Sequence, residues 1–405
     1  MSARLRIAVT GLAATYPLGG VFWDYLQYVV GLARLGHDVI YIEDTGRWCF
    51  DPAAGTVVER GDRNATYLAE HFARVMPEHP DRWFLRDATG RTFGMSWPDV
   101  AAFVRSADLF LDVSASCWMR EEYFAAGCVA FVDSDPMYSQ ESIPDYVAGR
   151  ASDVKRARVE MMLAHDVFFT FAENIGAPDC LVPRALCDWL PTRQPIVRAL
   201  FEPHARPVAD RRRVVTTIGS WESTEGGPIV GGVRYGGKNV EFERFVSLPA
   251  SSPLPLETAI SGRPPVERLE RAGWRVFDGY AVSSDPWVYR DYLSRSYAEW
   301  SVAKNAYVAS RSGWFSCRTA CYLALGVPAV VQDTGFSRYM KADEGLIAFD
   351  TREEALDGLR RIAAEPERHA RAAQALVAEV FDSDIVLARL VEDALTHAPP
   401  RRKAV

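Results

Sequence analysis

Strand-length apolar runs alternate with helix-length amphipathic segments along nearly the whole chain, and this alternation constrains the fold more than any other feature. Residues 5–10 read as a strand ending at Gly11. Residues 21–35 carry apolar side chains at Val21, Tyr25, Tyr28, Val29, Leu32 and Leu35, a helical spacing, with Gly36 as its cap. Further strands are expected at 37–42, 108–113, 129–133 and 167–171. Helices fit between them near 64–75, 97–106, 119–126 and 152–164. Repeated strand–helix–strand units imply a parallel, doubly wound sheet. Residues 77–96 break the rhythm and read as an insertion.

Around 190–212 the composition shifts. Pro191, Pro195, Pro203 and Pro207 alternate with charge and lead to Arg211-Arg212-Arg213, which marks a linker. A second series then begins: strands at 214–218, 256–260, 274–278, 298–303 and 327–331, with helices near 239–247, 264–272 and 286–294. At 405 residues two domains are expected. The division expected is an N-terminal domain at 1–195, a second at 210–380, and a C-terminal helix and tail at 381–405 packing back toward the linker. Two such α/β halves imply Rossmann-like domains facing a central cleft.

The formal charge of −7 argues against nucleic acid or anionic membrane as partner. The opening residues lack a signal-peptide pattern, and the apolar runs are too short to span a membrane. Seven cysteines without Cys-x-x-Cys spacing fit reduced thiols in a cytoplasm. Cys317 and Cys321 lie one helical turn apart, but no histidine lies near them in sequence, and no metal is expected there. The oligomeric state is left open.

The densest chemistry lies in 311–335. Gly313 opens a bend, Ser316 and Thr319 stand where a helix begins with Arg318 between them, and Gly326 ends that helix before an apolar strand. A helix N-terminus with hydroxyls and a guanidinium suits phosphate; a plain capped helix–strand unit is the other reading. The layout Ala309-Ser310-Arg311-Ser312-Gly313-Trp314-Phe315, a helix, then Gly326-Val327-Pro328-Ala329-Val330 resembles the nucleotide-diphosphate-binding stretch of GT-B glycosyltransferases. The block 274–335 is similar to a bacterial GT-B group with a Ser-Val-Ala-Lys, Arg-Ser-Gly-Trp-Phe-Ser and Gln-Asp-Thr-Gly-Phe signature, matched at Ser301–Lys304, Arg311–Ser316 and Gln332–Phe336. The Glu-x7-Glu pair of retaining members would fall at Ser312 and Ala320, neither of which is acidic.

The resemblance implies a glycosyltransferase of hexosyltransferase type, moving a sugar from a nucleotide diphosphate sugar to a small-molecule or glycan acceptor, with no further cofactor and no metal. A nucleotide-sugar epimerase of the same fold and a non-catalytic nucleotide-sugar-binding protein are the alternatives. The donor diphosphate is expected against Gly19, Gly20, Lys238, Lys304, Ser316, Arg318 and Thr319. Gly19 and Gly20 permit close backbone approach. Lys238 ends a run holding seven glycines between 219 and 237, which is either a ligand loop or a linker. Arg234 is a weaker candidate than Lys238. Lys304 closes a strand on the cleft side. Gly219, Trp221, Ser312 and Gly313 are expected near the base or sugar. Asp24, Asp112 and Asp133 are the candidate catalytic carboxylates. Asp133-Ser134-Asp135 has a metal-type spelling but reads as an acceptor-side loop or helix cap. No Gly-x-Ser-x-Gly, His-Glu-x-x-His or Walker-type loop occurs, so hydrolase, zincin and P-loop chemistry lack support.

Overall fold

A computed structural model describes residues 4–222 and 226–399. It contains two mainly parallel sheets. The first is built from β1 (Arg6–Thr10), β2 (Asp38–Asp44), β3 (Trp83–Arg86), β4 (Thr92–Gly94), β5 (Leu109–Val113), β6 (Val129–Asp133), β7 (Val167–Thr170) and β8 (Trp189–Pro191). Their spatial order is β8-β7-β6-β5-β1-β2-β3-β4. The second comprises β9 (Arg212–Ser220), β10 (Leu256–Ser261), β11 (Arg275–Asp278), β12 (Ser296–Ser301), β13 (Ala329–Gln332) and β14 (Leu346–Phe349), ordered β11-β10-β9-β12-β13-β14. Only β3 and β4 pair antiparallel within these sheets. The stretch expected to be an insertion is therefore this hairpin at the edge of the first sheet.

The strands form where β-branched and aromatic side chains run without polar alternation, because helices cover both faces of a parallel sheet. β5 and β6 are buried at every position. The helix Gly19–Arg34 locks the two sheets together. It packs against the helices Pro286–Ser294, Cys317–Ala324 and Ser383–His397. Trp23 Nε1 donates to the Pro286 carbonyl at 2.9 Å. A side chain on Gly19 would overlap Tyr289, so this close approach requires glycine.

The segment 192–211 is pinned rather than loose. Ile196 N–H donates to the Phe381 carbonyl at 2.7 Å and the Ser383 N–H donates back to Ile196 at 2.9 Å. Arg198 pairs with Asp382 at 3.0 Å. The last helix thus returns to the linker and continues onto the first half. Residues 223–225 and 400–405, parts of the expected glycine loop and tail, lie outside the described residues. Beyond that gap a two-residue hairpin pairs Ile229–Val230 with Val233–Arg234. Val230 is buried against Met137 and Tyr307, and the Ile229 N–H donates to Glu141 at 3.0 Å. Among the described residues no helix is long and apolar enough to cross a membrane.

Candidate active site

The carboxyl ends of both sheets meet at a cavity of about 260 Å³. One wall is the first turns of Gly19–Arg34, with Gly20 and Asp24 one turn apart, and the loops after β5 and β6, with Ser114, Ser134 and Asp135. The other wall carries Lys238, Tyr289, Lys304, Ser316, Cys317 and Arg318. Five residues expected at the diphosphate thus line one cavity: Gly20, Lys238, Lys304, Ser316 and Arg318.

The three cations differ in how they are held. Arg318 Nε pairs with Glu299 at 2.8 Å and its Nη1 donates to the Ile218 carbonyl at 2.6 Å. Burial opposes the guanidinium's charge, but Glu299 and neighbouring phenols hold it charged. Lys304 crosses the cavity to Asp135 at 2.6 Å and lies over the Tyr138 ring at 4.5 Å. Tyr307 also donates to Asp135. Lys238 opens the helix Lys238–Glu243 and, among the described residues, has no carboxylate within ion-pair distance. Burial pushes its pKa well below the usual lysine range, and the charges of Arg318 and Lys304 push it further, against Glu299 and Asp135. Gly219 is the penultimate residue of the neighbouring strand β9. A Cβ there would lie 3.2 Å from Lys238 Nζ and 3.8 Å from Arg318 Nη1, so both cations crowd the same glycine.

The helix Cys317–Ala324 points its N-terminus into the cavity. Ser316 is its N-cap and accepts from the Thr319 N–H. The Thr319 hydroxyl itself faces a small void behind the helix and has no hydrogen-bond partner among the described residues. Ser312 and Gly313 lie in the joint between the halves. The Ser312 carbonyl accepts from the Asn174 N–H at 3.0 Å, and Gly313 has φ +80° against the Asn174 backbone. Trp221 turns back into the second core, 5% exposed, with its ring 5.2 Å from Phe242. Its ring does not line the cavity.

The three candidate carboxylates separate sharply. Asp112 is 2% exposed and lies beside His165 Nε2 at 3.4 Å, accepting from Thr10 and the Cys117 N–H. Burial disfavours the imidazolium, yet Asp112 and the Met162 carbonyl raise the His165 pKa. Asp133 is fully buried and accepts from Ser139, Gln140 and Thr170, each at 2.7 Å. Both brace the loops that follow their strands. Asp24 lines the cavity. Burial, with Asp135 opposite, pushes it up to about 7, against a hydrogen bond from Cys317 and the charge of Arg318. Asp135 behaves oppositely: burial raises it, but Lys304, Tyr307 and Lys238 hold it below the usual range.

Sequence reasoning did not single out Tyr289, Cys317 or Tyr25 for this cavity; Asp135 entered it only through Asp133-Ser134-Asp135, read as an acceptor-side loop or a helix cap. Arg234 sits exposed on the small hairpin.

No family model matches the chain, and no curated protein matches it in sequence. Solved structures do match, along nearly its whole length. An α-glucosyltransferase in complex with UDP and a mismatched 13-mer DNA superposes with a TM-score of 0.57 at 12% identity, covering 97% of this chain and 100% of that one. Sucrose-phosphate synthase from Thermosynechococcus elongatus gives 0.54 at 12% identity, covering 98% and 100%. Anabaena HepE in complex with UDP and glucose gives 0.52 at 10% identity, covering 96% and 99%.

Proposed function

The chain has the GT-B fold. From that premise and the cavity, we propose that the protein is a glycosyltransferase that moves a hexose from a nucleotide diphosphate sugar to a hydroxyl-bearing acceptor in the cleft. One observation carries the reading. Lys238 is desolvated, lacks a carboxylate partner among the described residues, and is crowded by two further cations. A buried cation cluster of this kind is costly until a multiply charged anion completes it. A diphosphate has the charge and the oxygens to do so, and the N-terminus of Cys317–Ala324 adds its dipole. UDP in the solved GT-B structures supports the same ligand class.

Each wall then has a task. Lys238, Lys304 and Arg318 stabilise the charge developing on the departing diphosphate, with Ser316 and the adjacent helix amides beside them. Asp24, poised near neutrality, accepts the acceptor's proton. The buried Asp112 and Asp133 support loops rather than exchange protons. Gly20 borders the cavity, while Gly19 serves the approach of Tyr289. Side-chain charge takes the part that a divalent cation plays in other transferases. The net charge of −7 favours a carbohydrate or small-molecule acceptor over nucleic acid.

Thermal shift with UDP, TDP and GDP tests the donor site. A matching nucleotide at a hundredfold excess over Kd stabilises the fold by about 2.7 kcal/mol, with or without chelator. Lys238→Met removes most of that shift but leaves free-nucleoside binding unchanged. Binding that appears only with Mn²⁺, or survives Lys238→Met intact, refutes the reading. Turnover of labelled donor into a glycoside separates transfer from epimerisation and from mere binding.

A further inference from the structure

A second pocket lies farther along the carboxyl edge of the first sheet. It measures about 360 Å³ and is lined by Arg86, Trp97, Trp118, Arg120, Glu121 and Glu122. Arg86 ends β3, three strands from β5, whose following residue Ser114 lines the central cavity. At a strand spacing of about 4.8 Å the two sites are on the order of 14 Å apart.

Three features mark a built site. First, the indole of Trp118 is 64% exposed yet fixed. Its backbone N–H donates to the Asp44 carbonyl at 2.6 Å, and its ring lies on Gly46, where a Cβ would come within 3.4 Å. Second, Arg86 stacks over Trp97 at 4.5 Å and ion-pairs with Asp44 at 3.2 Å, which fixes that wall of the pocket, while Arg120, 32% exposed, turns part of its guanidinium to the opening. Third, the charges balance toward the negative. Arg86 and Arg120 share the one buried carboxylate of Asp44, and Glu121 and Glu122 stand exposed at the rim.

We propose that this pocket binds an uncharged pyranose unit of an oligosaccharide acceptor, remote from the unit that receives the new sugar. This deepens the transferase reading and rests on it. The apolar face of a pyranose covers the Trp118 ring. A ring hydroxyl accepts from the partly exposed Arg120 guanidinium, and others donate to Glu121 and Glu122. A uronate or phosphorylated sugar meets three carboxylates against two guanidiniums and is disfavoured. The separation from the cavity is too large for the reacting ring itself and suits a later unit of the same glycan.

The test is calorimetric binding of maltohexaose, cellohexaose, mannohexaose and chitohexaose, with hexagalacturonate as the charged control, to the full chain with and without UDP. At least one neutral hexaose should bind. Trp118→Ala should weaken it by about tenfold or more, the effect of losing a stacked ring. Arg120→Gln should weaken it less, with UDP affinity unchanged in both variants. The exposed Trp118 ring makes that variant safe for the fold, which its melting curve checks. The proposal fails if no neutral hexaose binds, if Trp118→Ala binds as wild type does, or if hexagalacturonate is preferred. Failure of UDP alone to bind would sink the donor reading while leaving the hexaose result to stand.

Discussion

Asp135→Asn should make the protein bind nucleotide diphosphate more tightly, although it alters a residue inside the cleft. Asp135 holds Lys304 across the cavity at 2.6 Å and accepts from Tyr307. A diphosphate that needs Lys304 must displace this carboxylate. A fully buried charge-assisted bond is worth roughly 1.5–3 kcal/mol. Here the Lys304 and Asp135 side chains are 30% and 47% exposed, so screening reduces the net value to about 1 kcal/mol. Removing the competitor therefore lowers the Kd for UDP by roughly fivefold. Loss of a like charge beside the phosphates acts in the same direction. Asparagine keeps the side-chain size, so the loop braced by Asp133 stays in place.

Isothermal titration of UDP into wild type, Asp135→Asn, Lys304→Met and the double variant reads this directly. The gain from Asp135→Asn should shrink in the Lys304→Met background, because no pair remains to break and only the relief of like charge is left. Asp135 also raises the Asp24 pKa, second to burial. The rising limb of transfer against pH, expected near 7 in wild type, should therefore move to lower pH in Asp135→Asn. Weaker UDP binding by that variant would refute the reasoning, since Asp135 would then be holding Lys304 ready for the ligand rather than competing with it.

Asp24→Asn should abolish most sugar transfer while leaving UDP binding within about twofold, a loss of well under 1 kcal/mol; labelled-donor assays and calorimetry separate the two. The folded pKa of Asp24, about 7, lies above the ordinary 3.8. Between those values the unfolded chain has lost a proton that the folded chain keeps, so ligand-free stability contributed by this group falls as pH rises through that window. Asp24→Asn should flatten that slope in denaturant titrations. Arg318→Ala strands Glu299, which is fully buried with Oε2 already unpartnered among the described residues. It should cost about 3–5 kcal/mol of stability, and adding Glu299→Gln should restore melting without restoring nucleotide affinity. Gly19→Ala drives a methyl into Tyr289 and should cost roughly 1–3 kcal/mol. Gly20→Ala, where the nearest atom is 3.5 Å away, should melt as wild type does.

Much of the fold was legible because parallel strands leave a strong signal. β5, β6, β7, β9, β10 and β13 all appear where β-branched or aromatic runs predict them. The edges were harder. β8 is a three-residue Trp-Leu-Pro strand and β14 a four-residue Leu-Ile-Ala-Phe strand; both are too short for periodicity to decide. The β3–β4 hairpin hides among turn residues. The seven glycines between 219 and 237 read as a ligand loop or a linker; within that run Val230 and Tyr235 pack into a small apolar cluster with Met137 and Tyr307.

The site shows where a sequence reading stops. Asp112 and Asp133 lie within strands, and a doubly wound sheet covers both faces, so their side chains point into covered space whatever their chemistry. Asp24 reaches the cavity from a helix, and Asp135 reaches it because it lies two residues past the end of β6. The deciding variable is position relative to the strand's end, and a shift of two residues moves a carboxylate from a brace to the cleft wall. Trp221 makes the same point: it follows β9 immediately and folds back into the core. The cations escaped this ambiguity. Lys238 and Lys304 stand just before or at helix starts that follow the second sheet's strands, and Arg318 lies in the first turn of Cys317–Ala324. In the second half those starts converge on one cavity, so residue type and place along the chain suffice to bring the three together. The first half answers with carboxylates, Asp24 and Asp135. The cleft is therefore polarised across its width, cations on the wall proposed for the donor and carboxylates on the wall proposed for the acceptor. Under the proposed function, that polarity would turn the diphosphate of a nucleotide sugar toward the second sheet and its anomeric carbon toward Asp24.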